Sequence, residues 1–475
     1  MSSTPSSDTT KKASIEGLAL EENDPDVTSA VPIKKYDEVF GAIRADGPDY
    51  RNVGWMGAVV LLLKSQIGLG VLSLPSALQV LGIVPGILVL VGVAAIMTWS
   101  GYCVGQFKLR HRQVYSVVDV GEIMFGPIGK EIFAAIYCTF MIFVAGSAIV
   151  GASIALNAIS LHATCTAVFV IVSTIVTFSL ASIRTLGNIS WLGWVGLTSI
   201  VASIITLTIA VGVQDRPALA PSTGDWDKGF HVIGNPSFTE ASSAVATLVV
   251  GYAGVPTYFS IAAEMRDPRL FNRAMLCSHV IITAIYIAIG TVVYYYCGQY
   301  VASPALGSAG VLMKRICYGL ALPGLYVTGT LYLHLPAKYI FLRIMRGSKH
   351  LTSNSPIHWA VWLSCVFTSV TIAYIIASAI PVFGSLVGLI GALFGSFFCI
   401  MVMGATWIFD HQDKIRAKPS MKVKLLTAFN CFIILLGLYF MISGTWGAAK
   451  DISDSYASDG GSSPWSCKDN SNTVE

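Results

Sequence analysis

Residues 64 to 75 read Lys64-Ser65-Gln66-Ile67-Gly68-Leu69-Gly70-Val71-Leu72-Ser73-Leu74-Pro75, inside the first long apolar run of the chain. A helix crossing about 30 Å of hydrocarbon needs roughly 20 mostly apolar residues. This run has the length, yet two glycines and a proline interrupt it and a lysine stands beside the interruption. Lipid tolerates no exposed backbone N–H or C=O, so non-helical backbone at membrane depth belongs where protein buries it or where it lines a cavity. Gly68, Gly70 and Pro75 are expected to supply such backbone, and the segment points to a solute site.

Working outward, similar apolar runs recur along the whole chain. Hydrophobic residues make up 54% and charged residues 12%, with a mean hydropathy of +0.68, against about 45–50% and 25% in soluble domains. The chain is therefore an all-α integral membrane protein. Eleven transmembrane helices are expected, near residues 54–78, 82–105, 131–158, 164–182, 191–213, 239–263, 274–298, 314–341, 357–380, 383–408 and 425–447. These form one domain over 51–447. Residues 1–50 are polar with no apolar signal-peptide core, and are expected to be a disordered cytosolic tail. Residues 448–475 form the opposite tail.

Orientation follows from basic residues, which favour cytosolic loops. With the amino terminus inside, 22 of the 30 Lys and Arg fall in inner segments, six in outer ones, and Lys64 and Lys338 within spans. A miscount of one span would destroy that asymmetry, so the charges support eleven spans and place the carboxyl tail outside. The net charge of +4 is too small to argue for nucleic acid.

A second interruption lies five spans later, in Val250-Gly251-Tyr252-Ala253-Gly254-Val255-Pro256-Thr257-Tyr258. Interrupted spans at matching places in two sets of five point to an inverted-repeat transporter, with spans 1–5 and 6–10 as the repeats and span 11 extra. A broken helix exposes its ends: N–H groups suit a carboxylate, and free carbonyls suit an ammonium or a cation. An α-amino acid carries both groups on one carbon. The expected substrate site is therefore Ser65, Gln66, Ile67, Gly68, Leu69 and Gly70 together with Gly251, Tyr252, Ala253 and Gly254, with Tyr258 and Phe259 shaping the pocket for the variable group.

Outside the tails, the 11 carboxylates all map to loops or span ends. No acid pair sits at the midplane for catalysis or proton relay, which speaks against an enzyme and an ion pump. Lys64 remains, about 15 Å along its helix from Gly54 and too deep for its stem to reach the surface. It is expected either to fill a cation position beside the break or to exchange a driving proton; Thr328 and Thr330 of span 8 could add hydroxyls to an ion site. His279 and His334 read as packing residues. The ten cysteines show no metal-ligand spacing, and no metal or cofactor is expected. Cys165, Cys297, Cys317 and Cys467 fall at or beyond the outer face, where a disulfide of unspecified pairing could form.

With both breaks and the following Glu264-Met265-Arg266-Asp267-Pro268 in view, residues 50 to 447 resemble the amino acid/auxin permease family. Lys64 to Pro75 is similar to the first-span motif of its proton-coupled members; the sodium-coupled branch has Asn where this chain has Lys64. Span 6 and its inner loop resemble those of the fungal neutral amino acid permeases (N systems). The resemblance implies a 5+5 inverted-repeat, LeuT-like bundle with spans 1 and 6 unwound, plus one extra helix. It also implies plasma-membrane uptake of neutral aliphatic and aromatic amino acids, with protons as coupling ion. An amino acid sensor that binds solute with little transport is the alternative.

Overall fold

A computed structural model describes residues 53–183, 186–221, 223–345, 355–380, 382–417, 419–458 and 464–471, and the backbone of 33–37 and 41–44. The side chains of 69, 186–191 and 458 lie outside the described residues, as does most of the amino-terminal tail. So does the segment 346–354, which carries Arg346 and Lys349 of the inner charge count. The amino-terminal unit, Met1–Asn52, holds two short antiparallel strands, β1 (Ile33–Asp37) and β2 (Gly41–Arg44).

The regular elements described in the second unit are helices, apart from one isolated bridge between Val53 and Met265. Span 1 comprises α1 (Trp55–Gln66) and α2 (Leu69–Leu81); span 2 is α3 (Ile83–Arg110). Span 3 is α4 (Val117–Ser160), kinked at Gly126 ahead of Pro127. Spans 4 and 5 are α5 (Thr166–Ala181) and α6 (Leu186–Val213). Span 6 begins with α7 (Phe238–Val250), passes through a 3₁₀ turn at Val255–Thr257, and ends with α8 (Tyr258–Glu264). Then follow α9 (Phe271–Cys297), α10 (Val311–Ile344) and α11 (Pro356–Ala379) as spans 7, 8 and 9. Span 10 is α12 (Phe383–Ile390), a π-helical stretch Gly391–Met401 and α13 (Val402–Asp410). A short α14 (Gln412–Arg416) leads to α15 (Met421–Ser458), span 11.

Nine of these, among the described residues, are long and apolar enough to cross a membrane; the α1–α2 pair, bent by 55°, is a tenth. The 16-residue α5, expected as span 4, is shorter. At one end Arg315 Nε donates to the Ile159 carbonyl just before α5, at 3.1 Å. At the other, His334 Nδ1 lies 3.4 Å from the Ala181 carbonyl. From Arg315 to His334 helix α10 rises about 28 Å at ~1.5 Å per residue, so α5 runs the depth of the bundle.

Local chemistry explains the element boundaries. Ser237 and Glu240 form a capping box at the start of α7, Glu240 N donating to Ser237 Oγ and Ser237 N to Glu240 Oε2. Ser116 and Asp119 do the same for α4. The last helix runs past residue 447, to Ser458. Hydropathy stops at Lys450 and Asp451 because it measures apolarity, whereas residues 448–458 hold no Gly or Pro to end a helix.

Two packing groups result. The pieces of spans 1, 6 and 7 pack on one another: α2 lies against α7 and α9, and α1 against α8 and α9. Spans 3, 5 and 8 form the second, α10 packing along both α4 and α6.

Candidate functional site

Helix α1 ends at Gln66 because the chain turns extended at Ile67, φ −73° and ψ 99°, and re-enters a helix at Leu69. The break therefore spans Ile67 and Gly68 only. Pro75 was expected to contribute to it and does not: it lies inside α2, which continues to Leu81. Loss of one N–H is tolerated there without ending the helix. Gly70, also inside α2, serves close approach instead. A Cβ on Gly70 would stand 2.6 Å from Gly251 Cα, so the first turn of α2 touches the end of α7 backbone to backbone.

The second break tightens where the first extends. Tyr252 N and Ala253 N bond back three residues, to the Val249 and Val250 carbonyls, and Thr257 N to Gly254 O. Gly254 again permits contact: a Cβ there would lie 2.6 Å from Ser65 Oγ and 3.1 Å from Gln66 Cγ. The two interruptions read from sequence thus meet, Gly70 against Gly251 and Ser65–Gln66 against Gly254.

Their free groups sort as helix ends demand. No side chain caps the first turn of α2 at Gly68, which leaves N–H donors there. On the carbonyl side, one hydroxyl bridges both breaks: Tyr286 Oη of span 7 lies 3.0 Å from the Gln66 carbonyl and 2.7 Å from the Gly251 carbonyl. A hydroxyl has one hydrogen for these two acceptors. From span 8, Tyr332 Oη lies 3.4 Å from the Ser65 carbonyl.

The expected side chains divide. Tyr258 and Gln66 come together, Gln66 Nε2 donating to Tyr258 Oη at 2.6 Å. Tyr252 turns to span 7, its hydroxyl 2.9 Å from Thr283 Oγ1 and its ring 5.3 Å from that of Tyr286. Ser65 Oγ bonds the Leu62 carbonyl of its own helix. Phe259 packs on Phe107 of span 2, ring centroids 6.2 Å apart, while Ile67 and Ala253 are buried in the core. Lys64 reaches span 5: a Cβ on Gly193 would stand 2.5 Å from its Nζ, so glycine makes room for the ammonium between α1 and α6. Thr328 lies near the first break, its Oγ1 3.9 Å from a Cβ placed on Gly68, and bonds the Gly324 carbonyl. Thr330, about 200° further around the same helix, is buried with its hydroxyl unpartnered.

Two site residues were not expected, Tyr286 and His279. His279 Nε2 lies 2.7 Å from Tyr258 Oη and its Nδ1 3.0 Å from Thr98 Oγ1 of span 2. With Thr283 they follow the i, i+4, i+7 spacing of one helix face, a polar stripe along that face of span 7.

The start of span 1 is tied to the end of span 6 by backbone. Val53 N donates to the Glu264 carbonyl at 3.2 Å, and Arg266 N to the Val53 carbonyl at 2.9 Å. Tyr115 Oη donates to Glu264 Oε1 at 3.0 Å, and the Arg273 guanidinium lies 4.8 Å from the Trp55 ring centroid. Burial, and then the Glu264 carboxylate beside it, push the Tyr115 phenol above its ordinary value, so it stays a donor. Of the four cysteines expected at or beyond the outer face, Cys165 and Cys467 form a disulfide. A groove of about 790 Å³ between spans 2, 10 and 11, lined by Trp99, Arg110 and Phe429, touches neither break.

Solved transporters share this architecture. A sodium-coupled sialic acid symporter in a substrate-bound outward-open state matches 85% of this chain and 91% of its own, with TM-score 0.50 and 14% identity. MhsT in complex with L-phenylalanine matches 81% and 98%, with TM-score 0.51 and 12% identity. Mhp1, a nucleobase-cation-symport-1 family transporter, in its closed conformation, matches 84% and 91%, with TM-score 0.51 and 12% identity. At these identities the likeness shows the fold, the inverted-repeat LeuT-like bundle. In sequence, a transmembrane transporter of Gibberella moniliformis is 33% identical over 438 residues, 92% of each chain. The N amino acid transport system protein of Neurospora crassa is 32% identical over 465 residues, 94% of this chain and 97% of its own. The family model for transmembrane amino acid transporter proteins matches residues 51–450, and the chain belongs to that family.

Proposed function

We propose that this amino acid transporter imports neutral aliphatic and aromatic amino acids by proton symport with alternating access, across the plasma membrane with its amino terminus cytosolic. The observation that carries the reading is the meeting of the two breaks. Uncapped N–H groups of α2 suit the α-carboxylate, and the Gln66 and Gly251 carbonyls, sharing one tyrosine hydrogen, suit the α-ammonium. Among the described residues the break itself carries no carboxylate or arginine to select a charged side chain, and the surrounding tyrosines favour apolar or aromatic ones. Lys64 supports proton over sodium coupling: its ammonium stands beside the first break against Gly193, as a fixed positive charge where a bound cation would otherwise serve. The Cys165–Cys467 disulfide supports an outer carboxyl tail, since disulfides persist in oxidising compartments.

Two measurements on purified protein in proteoliposomes test this. Counterflow of labelled neutral amino acid should occur; binding without exchange would favour a sensor. Accumulation should follow an imposed pH gradient in sodium-free buffer, and a requirement for sodium with indifference to pH would sink proton coupling.

A further inference from the structure

A hydrogen-bonded chain crosses three spans beside the breaks, and its direction can be assigned from donors and acceptors alone. The Leu62 carbonyl, which can only accept, lies 3.4 Å from Gln66 Nε2 and fixes the carboxamide with its nitrogen on that side. Nε2 also donates to Tyr258 Oη at 2.6 Å. Tyr258 must then spend its own hydrogen on His279 Nε2, at 2.7 Å. That makes Nε2 an acceptor, puts the imidazole hydrogen on Nδ1, and directs it to Thr98 Oγ1 at 3.0 Å. Thr98 in turn donates to the Ala94 carbonyl at 2.7 Å. Every donor is used, and the imidazole in this arrangement is neutral. One atom is left over: Gln66 Oε1, on a side chain 4% exposed, has no hydrogen-bond partner. It belongs to the residue whose Cγ lies against Gly254 of the second break.

We propose that His279 is a proton-binding site whose occupancy switches the Gln66 carboxamide from offering a free acceptor to offering free donors at the junction of the breaks. A proton from the outer solution arrives at Tyr258 Oη as the tyrosine's own proton passes to His279 Nε2. The tyrosine stays neutral and the imidazole gains one positive charge. Nε2 now donates to Tyr258 Oη, so the tyrosine hydrogen must find another acceptor. Rotation of the Gln66 carboxamide by half a turn supplies Oε1 and moves its NH₂ to the position Oε1 held. The junction then presents N–H groups and lies near a buried positive charge, both favourable to a carboxylate. Loss of the proton restores the lone acceptor, which repels one. By linkage, a bound amino acid must tighten the proton to the same degree. The groups that face His279 do not compete for the switch: the Tyr258 hydroxyl and the Tyr252 ring of span 6 and the Thr98 hydroxyl of span 2 are all uncharged.

The proposal rests on the symport reading, and the test separates the two. His279→Gln can accept from Tyr258 and donate to Thr98, as the neutral imidazole does, but cannot take up a proton. In proteoliposomes without sodium, wild type should accumulate amino acid up to about tenfold per unit of imposed pH difference for one coupled proton. His279→Gln should lose that accumulation, and its apparent substrate affinity should become independent of outer pH, while counterflow remains measurable. Tyr258→Phe, which cuts the link and keeps the imidazole, should give the same uncoupled behaviour and serves if the first variant does not fold. Wild-type pH-driven accumulation in either variant overturns the proposal and leaves the symport reading standing. No pH-driven accumulation in the wild type overturns both.

Discussion

Gly70 and Gly251 meet with no side chain between them: a Cβ on Gly70 would fall 2.6 Å from Gly251 Cα and 3.0 Å from its nitrogen. No flexible side chain can yield at that contact, so a methyl must push the two half-helices apart. Gly70→Ala is expected to cost about 1–3 kcal/mol, as overpacking does, and to lower uptake at least ~tenfold. Gly319→Ala is the control, since a Cβ there meets nothing within 4 Å. Uptake and thermal melting of both variants check this; equal behaviour would mean that the breaks do not depend on that contact.

Tyr286→Phe removes the one hydrogen shared by the Gln66 and Gly251 carbonyls. In the substrate-free protein two buried acceptors lose that donor, a penalty of roughly 1–3 kcal/mol each at most. A bound ammonium can satisfy them again. The variant should therefore melt lower than wild type without amino acid and gain more than wild type on adding it. A ligand-induced shift equal to or smaller than the wild-type one would place the ammonium elsewhere.

The ammonium of Lys64 occupies space that only glycine at 193 leaves open. Lys64→Asn should reach the membrane normally yet fail in proton-driven uptake. Gly193→Ala, whose new methyl would stand 2.5 Å from Nζ, should impair uptake in the same direction by displacing the charge. Wild-type transport and pH dependence in Lys64→Asn would reduce the lysine to an anchor.

The breaks were legible because Gly68, Gly70 and Pro75 cluster beside Lys64, Gly251, Gly254 and Pro256 cluster likewise, and their five-span offset is visible along one dimension. Their detail was not. Pro75 looks like a breaker by type, but a helix end requires unpaired backbone with somewhere to go, and that place, beside Gly251, lies far away in sequence. The same limit hid span 7. His279, Thr283 and Tyr286 share one face, a signal open to a periodicity count, but a single histidine in an apolar helix reads as packing until the hydroxyl of Tyr258 is seen 2.7 Å away. Phe259 shows the converse: adjacency to Tyr258 suggested the pocket, and one residue's rotation of about 100° turned it toward Phe107.

The Tyr115 hydroxyl holds the Glu264 carboxylate at 3.0 Å across the seam between span 6 and the link after span 2. Hydrogen bonds to charged groups contribute about 1.5–3 kcal/mol. Tyr115→Phe should weaken that closure, so that Met265→Cys in the same background is labelled several-fold faster by a thiol reagent applied from the inner side. Unchanged labelling would assign the closure to the Val53 backbone bonds and the Arg273–Trp55 contact.

The carboxyl tail docks where α4 ends. Asn157 Nδ2 donates to Asn470 Oδ1 at 2.7 Å, Thr166 Oγ1 to the Lys468 carbonyl at 2.6 Å, and Asn470 Nδ2 to Ser153 Oγ at 3.2 Å. The Cys165–Cys467 disulfide joins residues 302 apart in sequence. Chain entropy alone would assign a loop of more than 100 residues over ~4.7 kcal/mol. The loss on Cys467→Ser should be smaller, because spans that stay in the bilayer keep most of that loop ordered even when packing is lost. A protease site introduced between spans 8 and 9 gives a direct reading. After cleavage the two fragments should migrate together on a non-reducing gel and separate on reduction, and in Cys467→Ser they should separate without it. Fragments that part without reductant in the wild type would show that the bond does not form and would remove one support for an outer carboxyl tail.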